Sequence, residues 1–522
     1  MADRKLETEY LIVGGGASAM AFVDTLLDET DDRIVMVDRH DQPGGHWNDA
    51  YPFVRLHQPS AYYGVGSREL GRGVKYPSGP NAGGYDLASK SEILDYFDQI
   101  MQRRFLPSGR VTWLPMSEYR RASDGSHHVT SLLRESWVEV AVTKKLVDAT
   151  HVGTEVSATH GPRYSVMSQV QLIPINGLPE LRRRHPRYTV VGAGKTGMDA
   201  CLWLLANGLE PGRIRWIRPR DPWVLDRAAL QPYAENFDYV MRNTVDAFRA
   251  ITEASSPTEL FALLESYDVL MRFDPDVEPR AFRAAVLSRG ELEQLRRITD
   301  VVRLGHVTTI ETNRIVLDDG TVEADPDALY VDCTAAALHQ PPPGTAVFEP
   351  GVVNILPTRR VQPVFSAALI AFIESRFDDD VEKNAMCQIV PYPSVPLDWL
   401  TMWLPTLANA AQWGQRPEIR EWISHSRLNA LGAAGRGLDP ADPRRIEMRD
   451  LMRETALKAA MKIPQLLARA DDAACGNRVG RGHGERGHGG RENGGRENAG
   501  CGNDGGRPER ERHTDTRQHQ TL

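Results

Sequence analysis

Two stretches of this chain repeat one pattern of apolar and polar positions. Residues 9–13 (EYLIV) form a short apolar run, followed by the glycine turn GGGASA, a stretch with helical spacing (AMAFVDTLLDE) and a second apolar run at 33–38 (RIVMVD). Residues 187–191 (RYTVV) begin the same series again, with GAGKTG, then MDACLWLLANG, then RIRWIR at 213–218. Short apolar runs joined through a glycine turn and a helix predict two βαβ units, each part of a parallel, doubly wound sheet. Between the units, residues 111–152 read as short strands with polar turns. Residues 226–299 read as a long helical insertion broken at Pro257 and at FDPDVEPR. TTIETNRIVLDDGTVEAD reads as a hairpin with Asp319 and Gly320 at its turn. ALYVDCTA is a further strand, and beyond Val361 the pattern is mainly helical, with Trp399, Trp403, Trp413 and Trp422 as core or interface anchors.

Each turn has the spacing of a dinucleotide cradle. In the first, Gly14, Gly15 and Gly16 permit a tight turn and close approach of a pyrophosphate, and Ser18 and Ala19 open a helix whose free N–H groups favour anions. Asp38, with Arg39 beside it, ends the second strand where a carboxylate accepts hydrogen bonds from a ribose diol. In the second, Gly192, Gly194 and Gly197 take the three glycine places and Lys195 and Thr196 stand between them. Lys195 either adds a phosphate contact or points to water. Arg218 stands where Asp38 stood, with Arg220 two residues on, which favours a 2′-phosphate over a free ribose diol unless both are solvated surface arginines. One site for a ribose diol and one for a 2′-phosphate imply electron transfer between two cofactors, and the simplest pair is FAD and NADPH.

The segment GGHWNDAYPFVRLHQPSAYYGV at 44–65 resembles the G-G-T-W and Y-P-G-x-R-x-D-x-x-S-x-x-Y region of flavin-containing and Baeyer–Villiger monooxygenases. Gly44, Gly45, Trp47, Tyr51, Pro52, Arg55, Ser60 and Tyr63 match. His46 replaces Thr, Phe53 replaces Gly and His57 replaces Asp. GAGKTGMD is similar to that family's second turn, with Thr196 for Ser. The F-x-G-x-x-x-H fingerprint is missing, and the late A-T-G motif survives only as Cys333-Thr334-Ala335-Ala336. The resemblance implies two Rossmann-type domains, the NADPH domain inserted in the FAD domain, and a loop carrying Gly45, His46, Trp47 and Arg55 near the flavin. On that loop His57 is the candidate catalytic residue, because a histidine moves protons near neutral pH. The alternative is a ring bonded to backbone. The expected boundaries are 1–152 for the first part of the FAD domain and 186–322 for the NADPH domain with its helical insertion. The second part of the FAD domain, with its helical end, is expected at 323–470.

Composition then narrows the classes. The net charge of −8 argues against nucleic acid as a partner. The five cysteines form no C-x-x-C pair, which argues against a metal cage or redox dithiol and for a reducing cytoplasm. MADRKLETEY carries no apolar leader, and no run of about 18 apolar residues follows, so neither export nor a membrane span is expected. Residues 471–522 are Gly, Arg, Glu, Asn and His in near-repeats, too polar to build a core, and read as a disordered tail. The function expected is an FAD- and NADPH-dependent monooxygenase using molecular oxygen on a small molecule. A flavin reductase without oxygen insertion and a non-catalytic nucleotide-binding flavoprotein are the alternatives.

Overall fold

The glycine turns sit where two parallel sheets end. The computed structural model describes residues 4–151, 153, 156–334 and 339–481. In chain order, the elements that position the site are β1 (Arg4–Val13), α1 (Ala17–Glu29), β2 (Ile34–Val37), β3 (Val111–Leu114), β4 (Trp137–Asp148), β5 (Leu172–Pro174), β6 (Tyr188–Val191), α2 (Lys195–Ala206), β7 (Ile214–Ile217), β8 (Asp300–Val302), β9 (Leu329–Asp332), β10 (Val352–Asn354) and α3 (Pro363–Arg376). The first sheet runs β10-β4-β1-β2-β3, every neighbouring pair parallel. A hairpin, Ser117–Arg121 with His127–Ser131, adds antiparallel to β4. The second sheet runs β8-β7-β6-β9-β5, also parallel throughout.

Because β10 rejoins the first sheet after β5 to β9 have built the second, the second domain is an insertion in the first. Its limits are wider than the sequence suggests. β5 precedes residue 186 and β9 follows residue 322, yet both pair in the second sheet. The reason is non-local: ALYVDCTA is apolar enough for either sheet, and only its register with β6, Tyr330 opposite Thr189, assigns it.

β2 and β6 are buried at all four residues, as expected of strands covered on both faces. α1 and α3 lie against each other under the first sheet, and α3 is buried from Val364 to Glu374. Its near-continuous apolar sequence VFSAALIAFI reflects that burial. One hydrophobic cluster runs from Ile12 and Phe22 through Val190 and Met198 to Phe365, so both domains share a core.

The insertion carries the expected helices, Phe237–Glu253, Pro257–Ser266 and Arg289–Arg296, and strands as well. Ala281–Leu287 and Leu270–Met271 flank Pro222–Asp226 in a three-stranded sheet. Pro257 starts a helix rather than breaking one: it is the first helical residue, and the Ser256 side chain caps that helix by accepting from Glu259 N–H. The expected hairpin is present, Arg314–Leu317 against Gly320–Glu323, but it turns one residue earlier, at Asp318 and Asp319, because Gly320 already pairs with Leu317. The last described helix, Pro443–Arg481, continues past Asp471, where the tail was expected to begin. Residues 482–522 lie outside the described residues. No helix among the described residues is long and apolar enough to cross a membrane.

Candidate functional site

The first glycine turn leaves β1 at Gly14, whose φ of +104° no branched side chain adopts comfortably, and Gly16 caps α1 with no side chain on its N–H groups. The 44–48 loop closes over it. Gly44 N–H donates to Gly15 O at 2.8 Å, and a Cβ on Gly45, itself at φ +55°, would stand 2.8 Å from Gly16 Cα. Gly45 is thus required for the close approach of the two backbones, whereas a Cβ on Gly16 would meet only Gly45 Cα at 3.7 Å, an ordinary contact. Asp38 is 9% exposed and accepts from Gly15 N–H at 2.5 Å. Its other oxygen accepts from His40 N–H and faces His40 Nδ1, both at 2.8 Å, while His40 Nε2 faces Asp49 at 3.0 Å. Burial pushes the Asp38 carboxyl up, but the hydrogen bonds from His40 and Gly15 outweigh it and hold it below its usual range. The same contact, against burial, raises His40 to about 9. Asp38 is therefore an ionised acceptor at the end of β2.

The second turn mirrors the first. Gly194 caps α2 without a side-chain cap, is exposed, and faces open space. A Cβ on Gly197 would run into the Gly192 carbonyl oxygen, which already accepts from Trp216 Nε1 at 2.8 Å. Ser18 and Thr196 occupy equivalent places in the first turns of α1 and α2, and Ala19 is fully buried. At the strand end the structure corrects the reading of Arg218. It is 4% exposed, its guanidinium lies 4.9 Å from the Trp216 ring centre and 5.0 Å from that of Phe273, and Nε stands 3.1 Å from Asp221. Burial pulls its pKa down to about 10. Asp221 is bound in turn by Arg303 Nε at 2.8 Å. Arg218 is a core cation beside Asp221, stacked on Trp216 and Phe273 rather than presented to solvent. Arg220 is partly exposed, and its charge adds to burial in pulling down Arg283 on the neighbouring strand. The solvent-accessible arginine at this strand end is thus Arg220.

The two halves meet through side chains. Tyr51 Oη donates to Asp199 at 2.5 Å, and Lys195 Nζ pairs with the same carboxylate. Burial, then the Asp199 charge, holds the Tyr51 hydroxyl well above its usual range, so it stays a proton donor. Arg227 Nε donates to His57 O at 2.8 Å, its Nη1 pairs with Glu291 at 2.8 Å, and Asn81 Nδ2 donates to Glu291 at 2.9 Å. His57 is partly buried, and burial followed by the charges of Lys195 and Arg227 holds it well below its usual range. It is neutral at pH 7, which corrects the expectation of a histidine titrating there. Its backbone contact is through its carbonyl, not its ring.

Other candidates lie off this contact. Trp47 is buried and commits its indole N–H to Tyr63 Oη at 2.8 Å, bracing the loop. His46 packs at 5.1 Å from the Trp47 ring and is held neutral, its pKa lowered to about 4 by burial. Arg39 and Arg55 are exposed, and Arg55 donates to Leu87 O at 2.9 Å. Reading the sequence missed His40, Asp199, Arg227 and Glu291. Two of them left a local signal: Asp199 closes the GAGKTGMD turn, and Glu291 sits in the capping box with Ser288 at the start of its helix. It also missed that Cys201 and Cys333 come close enough to feel each other's charge. Both thiols are buried, and burial raises each.

These features define a protein of two Rossmann-type domains, each with a glycine turn between a strand and a helix, joined by the Tyr51–Asp199 contact. No family model matches the chain. The chain is 47% identical over 429 residues, 82% of its own length and 78% of theirs, to the uncharacterized proteins Rv2000 and MT2056 of Mycobacterium tuberculosis and Mb2023 of Mycobacterium bovis. It belongs to the family that these mycobacterial proteins form. Among solved structures, a flavin-containing monooxygenase from Stenotrophomonas maltophilia is 15% identical with a TM-score of 0.41, covering 71% of this chain and 98% of that one. Cyclohexanone monooxygenase from Rhodococcus sp. Phi1, bound to NADP+, is 15% identical with a TM-score of 0.44, covering 71% and 84%. A bacillithiol disulfide reductase from Bacillus cereus is 12% identical with a TM-score of 0.41, covering 71% and 99%.

Proposed function

We propose that the chain is an FAD-dependent, NADPH-using oxidoreductase that inserts one atom of molecular oxygen into a small organic molecule. The observation that carries this reading is the Tyr51–Asp199–Lys195 contact. It ties the segment after the first glycine turn to the helix that opens the second, so two nucleotides bound at those turns extend toward one place. The residues suit both cofactors. Gly14 to Ala19, Asp38 and the backbone of Gly45 would hold FAD, with the Gly45 loop seated so closely on Gly16 that a Cβ on Gly45 would clash. Gly192 to Gly197 with Arg220 would hold NADPH, the open space at Gly194 admitting its pyrophosphate.

FAD, when bound, supplies the acceptance of hydride from NADPH and the reaction with oxygen. The chain's own residues do the rest. Tyr51 keeps its proton on Oη and offers it to Asp199; Lys195 neutralises that carboxylate; His57, held neutral by burial and by Lys195 and Arg227, presents a ring nitrogen that accepts a hydrogen bond without taking up a proton. Buried Cys201 and Cys333 speak against disulfide reduction at this site. The test is NADPH oxidation and oxygen uptake by the purified protein across amines, thioethers and ketones. Oxygen consumed in step with oxygenated product supports the reading. NADPH oxidation that consumes no oxygen while an organic acceptor is reduced replaces it with a reductase.

A further inference from the structure

The helix Lys90–Ile100 runs without a break into a π turn, Met101–Phe105, which Leu106 N–H closes on Met101 O five residues back. Such turns are uncommon and recur at functional sites. Met101 and Phe105 are fully buried and anchor the turn in the core, while Arg103 is exposed and Arg104 half-buried. Gln99, Arg103 and Pro107 repeat every four residues, as do Ile100, Arg104 and Ser108 beside them, and all six line one cleft of about 530 Å³ together with Ser67 and Arg68. Turns of 3.6 residues carry a four-residue repeat progressively off one face, and the wider π turn counters that drift.

Hydrogen bonds fix the residues of the cleft. Ser67 donates to Asp24 of α1 through its N–H at 2.8 Å and its Oγ at 2.6 Å. Arg104 Nε donates to the same buried carboxylate at 2.7 Å, and its Nη2 to Asp28 at 2.7 Å. Arg68 Nη2 donates to the neutral Gln99 Oε1 at 2.7 Å, which joins the 67–68 segment to the helix. The carboxylates nearby are committed, Asp24 and Asp28 to Arg104, Asp95 to Gln99 Nε2 at 2.6 Å and Asp98 to Gln102 Nε2 at 3.4 Å. Among the described residues neither Arg68 nor Arg103 forms an ion pair. Two guanidinium charges therefore line one cleft with no carboxylate paired to either, and Arg104 stands fixed beside them.

We propose that this cleft binds a phosphate monoester of a small organic molecule, with Arg68 and Arg103 on the phosphate and Ile100 and Pro107 against the organic part. Two unpaired guanidinium groups match a dianion, and their planar forks suit phosphate oxygens. The volume lies in the range of small-molecule sites and exceeds what a bare phosphate ion fills. Asp24 lies seven residues beyond the start of α1, about 10 Å along it, so the site is separate from the glycine turn and independent of the redox reading.

The probe is phenyl phosphate, titrated calorimetrically at pH 8, where the ester is a dianion, into the full-length protein as purified. Saturable binding is expected, with phenyl sulfate, which has the same ring and one charge fewer, weaker by about tenfold or more, and inorganic phosphate also weaker. Arg103→Gln and Arg68→Gln should each lose at least about tenfold in affinity. Both side chains are exposed and free of ion pairs, so both variants should keep a thermal midpoint near that of the parent. Phenyl phosphate should raise the midpoint of the parent and raise that of Arg103→Gln less. Arg220→Ala, at the second glycine turn, should bind phenyl phosphate as the parent does. No binding, equal binding of phenyl sulfate or of inorganic phosphate, full affinity in Arg103→Gln, or a loss in Arg220→Ala instead overturns the proposal.

Discussion

Replacing Arg218 and Arg220 separately by Ala distinguishes a core cation from a phosphate ligand at the same strand end. Arg218 stacks near Trp216 and Phe273 and pairs with Asp221 at 3.1 Å. Two cation–π contacts at about 1 kcal/mol each, plus the packing lost around a buried side chain, give a destabilisation of about 3 kcal/mol for Arg218→Ala. The loss is not larger because Asp221 keeps Arg303 at 2.8 Å and is not stranded. Arg220 is partly exposed, so Arg220→Ala should change stability by no more than about 0.5 kcal/mol. A charge-assisted contact to a 2′-phosphate is worth about 1.5–3 kcal/mol, so the same variant should bind NADPH roughly ten- to a hundredfold more weakly and NADH nearly unchanged. Urea denaturation measures the first quantity and equilibrium titration of each nucleotide the second. An Arg218→Ala protein of full stability that selectively loses NADPH, with Arg220→Ala unaffected, would refute the assignment.

Three further outcomes follow from the same geometry. Gly45→Ala places a Cβ 2.8 Å from Gly16 Cα at φ +55° and should cost about 2–4 kcal/mol in denaturant unfolding and lower FAD content; a stable variant with full flavin contradicts the cradle. His40 is raised from 6.5 to about 9, so its stabilising effect is complete below pH 6.5, declines between there and pH 9, and is gone above. His40→Ala should flatten the stability profile across that window, and an unchanged profile contradicts the Asp38–His40 pair. Removing residues 482–522 should leave thermal midpoint and flavin content unchanged, whereas ending the chain before Ala459 removes the buried Ala459, Ile463 and Leu466 and should lower the midpoint clearly.

What the sequence displayed was local. A glycine turn between the apolar end of a strand and a helix is dictated within about ten residues, so both turns and both parallel sheets were legible. What it concealed depends on partners far along the chain. Arg218 became a core cation because Phe273 and Arg303 close over it. His57 lost its titration near neutrality because the fold buries it and then brings Lys195 and Arg227 beside it. β9 joined the second sheet through its register with β6. Pro257 was readable in principle, since Ser256 before it is a helix cap, but its breaking tendency was weighed first.

The most direct measurement takes the purified, full-length protein, identifies any nucleotide released on denaturation, and adds NADPH without oxygen while following the visible flavin absorbance. FAD bound at about one per chain, bleached by NADPH faster than by NADH, is the result expected from the paired glycine turns with Asp38 and Arg220 at their strand ends. A folded protein that takes up no FAD when supplied with it, or bound FAD that NADPH leaves oxidised, would contradict it.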